Sequence, residues 1–254
     1  TQNYHNAYKP IFDGMTQWIA DNREALDIRF VFHTGDVVGS WSSEDQWRQA
    51  RESMDILSNA SIPFLAACGN HDIGYRMNYA NFLKYVLSLR PASMSQEYGD
   101  TGSRYELFSA NGRDYIFMGI AFSNKGPSED EVNWINGVLR QYSSRDAIII
   151  THSYLKKSAS YTTQGKAIFE KIVKANPNVF LVLCGHCRDI SYKNVQLDDD
   201  GDGDPDRTVY AILSNFQGSK AGGGGYMRIL DFRDSDIYIL SLIHISEPTR
   251  QAEI

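Results

Sequence analysis

The stretch Phe64-Leu-Ala-Ala-Cys-Gly-Asn-His-Asp72 decides how the chain is read, because an apolar run suited to a buried strand stops at Gly69 and three polar side chains follow at once. Strand ends of this kind are where α/β sheets place their chemistry. Asn70 offers a neutral oxygen to a cation, His71 gives or takes a proton near neutral pH, and Asp72 can hold that imidazole in one tautomer. Taken alone, the stretch reads equally well as a polar turn after a strand.

Three further runs end the same way: residues 30–36 close on Gly35-Asp36, residues 147–152 on His152, and residues 179–186 on Gly185-His186. Four β-rich runs that deliver Asp, Asn/His, His and His at their carboxyl ends predict convergence on one rim of a sheet, as a metal-ligand cluster requires.

This set, in this order, resembles the calcineurin-like metallophosphoesterases, whose blocks read Asp-x-His, Gly-Asp, Gly-Asn-His-Asp/Glu, a lone His and Gly-His-x-His. Gly35-Asp36, Gly69-Asn70-His71-Asp72 and His152 match the second to fourth blocks, and Gly185-His186 matches part of the fifth. Thr1-Gln-Asn-Tyr, Trp18-Ile, His33-Thr-Gly-Asp-Val-Val and Gly224-Gly-Tyr-Met-Arg-Ile-Leu look like a bacterial branch whose first block is Asp-Thr-Gln. On that alignment Gln2 takes the place of the first-block histidine. The aspartate before it would precede Thr1, so the expectation is a domain over residues 1–239 without its first strand. The fold implied is a four-layer α/β sandwich of two mixed β-sheets flanked by helices. Helix-strand alternation followed by strands from residue 190 onward predicts the same layering.

The activity implied is hydrolysis of a phosphomonoester or phosphodiester with two divalent metal ions of the Mn, Fe, Zn or Mg type, which clamp phosphate oxygens and acidify a water. Asp36 is the natural bridge, and the resemblance assigns Asn70, His152 and His186 to the second metal and Gln2 to the first. His71 is then free to protonate the leaving oxygen, with Asp72 orienting it. Arg188 stands where the fifth block has its second histidine. A guanidinium cannot ligate a cation, so Arg188 either forks onto the substrate phosphate or lies on the surface. Gln2 is a weaker ligand than histidine, which makes the first metal the doubtful one. Tyr75 and Arg76, next to the Asn-His-Asp block, either reach a substrate or pack in a loop. The competing reading is a catalytically degenerate domain of this fold that serves as a calcium-stabilised extracellular binding module.

At 254 residues, 42% hydrophobic and 22% charged, the chain has the composition of one soluble globular domain, and no apolar run reaches membrane-spanning length. Its net charge of −6 is matched by Asp198, Asp199, Asp200, Asp202, Asp204 and Asp206 alone. The basic footprint of a nucleic-acid binder is absent, so the expected partner is a small or exposed phosphate ester. The spacing of Asp198, Asp200, Asp202, Asp204 and Asp206 resembles the aspartate-rich calcium loops of extracellular proteins, although a solvated hairpin tip has the same composition. Val209 in place of a closing glutamate excludes an EF-hand. Calcium points to a secreted or cell-surface location, with the cytoplasm as the alternative. Cys68, Cys184 and Cys187 are odd in number and exclude a full disulfide framework.

Locally, Ser43 with Gln46 and Ser128 with Glu131 form capping-box patterns that open helices, and Asn111-Gly112 marks a hairpin. Further helical patterns run over residues 10–26, 75–89 and 162–175. Residues 240–254 resemble a translated sequencing-adapter end and are expected to be a non-native tail, which removes His244 from consideration.

Overall fold

Hydroxyl caps at Ser43, Ser128 and Thr162 start three of the described helices, and β-branched and aromatic runs make most of the strands. Helix α1 (Lys9–Asp21) carries Pro10 in its first turn and buries Phe12. Strand β1 (Val31–His33) leads to α2 (Glu44–Asn59), where the Ser43 hydroxyl accepts from the Gln46 N–H at 3.4 Å. Then come β2 (Phe64–Ala66), a single helical turn α3 (Asn70–Ile73) and α4 (Ala80–Tyr85). The computed structural model describes residues 1–75, 77–89, 95–233, 236–243 and 247–252, so Arg76, Pro91 and His244 lie outside the described residues.

Strands β3 (Ser95–Glu97), β4 (Arg104–Ala110) and β5 (Arg113–Ile120) follow. The turn between β4 and β5 has Asn111 at φ 51° and Gly112 at φ 77°, the left-handed pair that a tight hairpin uses. Helix α5 (Glu129–Gln141) precedes β6 (Asp146–Thr151), and α6 (Thr163–Ile168) continues as a π-helical turn over Phe169–Val173 before β7 (Val179–Cys184). The chain ends in β8 (Asp189–Leu197), β9 (Arg207–Asn215), β10 (Met227–Arg233), β11 (Asp236–Ile243) and β12 (Glu247–Ala252).

The architecture is the expected α/β sandwich. One mixed seven-stranded sheet has the order β3-β4-β5-β6-β7-β9-β8, with β5, β6, β7 and β9 parallel. The facing layer consists, among the described residues, of a parallel pair β1-β2 and an antiparallel trio β10-β11-β12. Leu65, Phe117, Ile148, Leu181, Ile212 and Ile239 form the core between the layers. Ile135, Leu139, Ile168 and Ile172 of α5 and the α6 segment cover the outer face of the large sheet. Phe12, Trp47, Met54, Leu57 and Phe82 of α1, α2 and α4 cover the β1-β2 pair. No helix is long and apolar enough to cross a membrane, among the described residues.

Two local expectations are corrected. Both capping boxes are half-formed, because the acceptor side chains find tertiary donors instead. Gln46 Oε1 accepts from the Gly39 and Ser40 amides at 3.0 and 2.9 Å, and the Glu131 carboxylate accepts from the Ser103 hydroxyl. The helical pattern over residues 75–89 yields only α4 and a 3₁₀ turn at Leu87–Leu89, since Gly74 at φ 59° turns the chain out of α3. Strand β11 pairs with β10 through Leu242.

Candidate metal centre

The carboxyl ends of β1, β2, β6 and β7 meet at one rim, where the two layers touch. After β1 the chain bends through Gly35 at φ 92° and Asp36 at φ 54°. His33 supports the bend. Its Nδ1 accepts from the Gly35 N–H at 3.2 Å, so Nε2–H donates to the Thr1 hydroxyl at 2.9 Å, and that hydroxyl donates to the Val37 carbonyl at 3.0 Å. Burial lowers the His33 pKa, which keeps the ring in the neutral form that this relay needs.

Asp36, His152 and His186 bring ligand atoms to within 4.8 Å of one another. His152 is the hub. Its Nδ1–H donates to the Thr34 carbonyl at 2.8 Å, which leaves the Nε2 lone pair pointing into the site. Around Nε2 lie Asn70 Oδ1 at 3.1 Å, His186 Nδ1 at 3.1 Å and Asp36 Oδ2 at 3.2 Å. The four atoms are of the donor types that divalent cations take, and such an ion would supply them with a shared positive charge. Without a metal, a proton on His152 serves. Burial depresses its pKa, but the hydrogen bond and charge of Asp36 outweigh burial and raise it. Asp36 responds in kind: burial pushes its carboxyl up, and His152 with the His71 amide pulls it down to about 2. Burial and the His152 charge lower His186, the most accessible of the three. Phe122, just after β5, packs its ring 5.9 Å from His152 and 5.8 Å from His186.

His71 stands beside this cluster and donates its backbone N–H to Asp36 Oδ1 at 3.0 Å. The expectation that Asp72 orients the His71 ring is corrected. His71 Nδ1–H donates to the Gly39 carbonyl at 2.9 Å, while the fully buried Asp72 accepts from the Gly69 amide at 2.8 Å and the Val38 amide at 3.1 Å. Asp72 therefore staples the turn that carries Asn70 and His71 onto the loop after β1. Burial, with Asp36 nearby, lifts its pKa to about 7 against those two amides.

The other predicted residues divide. Gln2 is close by, but its Oε1 is taken by the Gln217 carboxamide. Arg188 is exposed, with its stem running beside Gly218, and Tyr75 is 85% exposed. Arg76 lies outside the described residues. In the acidic loop the oxygens of Asp198, Asp200 and Asp206 cluster, whereas Asp202 and Asp204 are not part of that group; the Asp202 amide donates to Asp200 Oδ1 at 3.1 Å, and Asp202 Oδ1 accepts from the Asp204 amide at 2.8 Å. Sequence reasoning missed His33, Phe122, Asn215 and Gln217. The last two stand in Ser214-Asn-Phe-Gln-Gly218 at the end of β9, the same strand-then-polar signal that marks the other blocks.

Residues 5–187 match the model of the calcineurin-like phosphoesterase family. The chain is 40% identical over 250 residues to YvnB of Bacillus subtilis (strain 168), an uncharacterized protein, with 97% of this chain covered. It spans only 19% of the length of that curated relative. A dimetal phosphatase from Danio rerio superposes with a TM-score of 0.62 at 12% identity, covering 93% of this chain and 86% of that one. At that identity the likeness is one of fold.

Two glycines test the geometry. A methyl group at Gly69 would sit 2.3 Å from the Asp36 amide nitrogen and Oδ1, while one at Gly137 in α5 meets nothing within 4 Å. Gly69→Ala is expected to abolish Mn²⁺ binding in a calorimetric titration. Gly137→Ala should leave binding intact and gain up to about 1 kcal/mol of stability by denaturant melting.

Proposed function

Because the chain belongs to the calcineurin-like phosphoesterase family, we propose that it is a metal-dependent phosphoesterase acting on phosphomonoesters or phosphodiesters. The observation that carries this reading is the convergence of Asp36, Asn70 and His186 on Nε2 of His152. Those four residues would hold one divalent cation, and Asp36 with Gln2 would serve a second. When bound, the cations clamp phosphate oxygens and acidify a water. Asp36 is ionised at any working pH, because its carboxyl is held down to about 2.

His71 is proposed as the general acid. With Nδ1–H committed to the Gly39 carbonyl, its Nε2 is the atom left to deliver a proton to the departing oxygen. The Gly39 carbonyl takes the orienting role, and the Asp36 interaction with the His71 amide ties the acid to the cluster. A small or exposed phosphate ester remains the proposed substrate. The acidic loop supports a second, separate reading, in which Asp198, Asp200 and Asp206 hold a weak calcium ion of the extracellular kind and the protein works outside the cytoplasm.

Turnover of p-nitrophenyl phosphate and its phosphodiester counterpart is expected with added Mn²⁺ and lost with chelator. Alanine at Asp36, Asn70, His152 or His186 should reduce it by orders of magnitude. Folded variants that keep full turnover would remove the assignment. For His71→Asn, alkyl phosphates with poor leaving groups should slow by about 10²-fold or more, and activated aryl phosphates far less. Equal losses would assign His71 to another role. Calcium at ten times its Kd should stabilise by about 1.4 kcal/mol, read as roughly 3–6 °C in Tm. A variant with Asp198, Asp200 and Asp206 changed to serine should show no shift.

A further inference from the structure

His186 is held in an unusual backbone. Its φ is 61°, and the Cys187 N–H donates to the Gly185 carbonyl at 2.8 Å, so a three-residue turn is centred on it. Left-handed turns of this size are rare and strained, by about 1–3 kcal/mol for a residue with a Cβ. Such a conformation persists only where the surroundings over-determine it. Here the constraint is Asn215, at the end of β9. Its Nδ2 donates to the His186 carbonyl at 3.0 Å, and its Oδ1 accepts from the Gln217 amide at 2.9 Å. Gln217 in turn donates from Nε2 to Gln2 Oε1. One carboxamide thus ties residues distant in the chain, His186 directly and Gln2 through Gln217.

We propose that Asn215 is a positioning residue for the metal centre, holding the His186 ring against His152 by locking the backbone turn beneath it. The proposal rests on the cation-binding reading above. Its chemistry requires Asn215 to donate, because the His186 carbonyl can only accept. Aspartate at this position keeps the acceptor for the Gln217 amide and loses the donor. It therefore separates the hold on His186 from the shape of the β9 loop. With the donor removed, the turn can relax toward ordinary φ and carry the imidazole away from the other ligands. Residues that orient metal ligands in this way typically govern 10- to 100-fold in affinity.

The experiment uses the full chain as Asn215→Ala and Asn215→Asp, with two measurements. Amide hydrogen exchange at Cys187, in cation-free protein, reads the turn itself. Calorimetric titration with Mn²⁺ reads the site. Both variants are expected to exchange faster at Cys187 and to bind Mn²⁺ about tenfold or more weakly, with thermal melting of the cation-free protein nearly unchanged. Three results would overturn the proposal: exchange unchanged in both variants, faster exchange with wild-type Mn²⁺ affinity, or Asn215→Asp behaving as wild type while Asn215→Ala does not. A wild-type protein that binds no Mn²⁺, with the exchange difference intact, would instead overturn the phosphoesterase reading on which the proposal depends.

Discussion

Asp36 and His152 face each other across the seam between the two layers, 3.2 Å apart, with Asn70 and His186 crowding the same imidazole nitrogen. Electron-rich groups in a partly dry site repel unless positive charge is shared among them, so this contact is costly until a proton or a cation occupies it. Much of the surrounding structure serves to hold it. Gly35 is needed because its φ is 92° and a methyl group there would lie 2.6 Å from His152 Nδ1. The Thr34 carbonyl fixes the tautomer of His152, the Gly39 carbonyl fixes His71, and Asp72 binds the two loops together.

Apolar packing sets the distance between the layers and therefore the distance between Asp36 and His152. Phe30, just before β1, packs edge-on to Phe117 of β5 at 4.6 Å, and Phe32 does so at 4.9 Å. Each aromatic pair contributes about 0.5–1.5 kcal/mol beyond its buried area, and together they hold the end of β1 over the large sheet.

The chain by itself determined most element types, the layering and the rim on which Asp36, Asn70, His152 and His186 converge, because strand ends followed by Gly and polar residues are local signals. Each of Asp36, Asn70, His152 and His186 follows an apolar run within a few residues, and parallel strands carry those ends to one rim. The hairpin at Asn111-Gly112 was legible for the same reason, since its dihedral demands are met by the two residues themselves.

Only the tertiary structure decided which partner each polar group takes. Asp72 is next to His71 in the chain yet bonds Gly69 and Val38, because α3 is one turn long and directs the carboxylate back to its own start and across to the loop after β1. Gln46 and Glu131 have the spacing of capping boxes but are drawn to Gly39, Ser40 and Ser103, and the Ser43 amide that Gln46 would have capped donates to the Ser40 carbonyl at 3.0 Å instead. Asn215 and Gln217 reach His186 and Gln2 across 29 and 215 residues of sequence. Contacts of that range depend on where two layers place distant loops, and spacing along the chain carries no record of it.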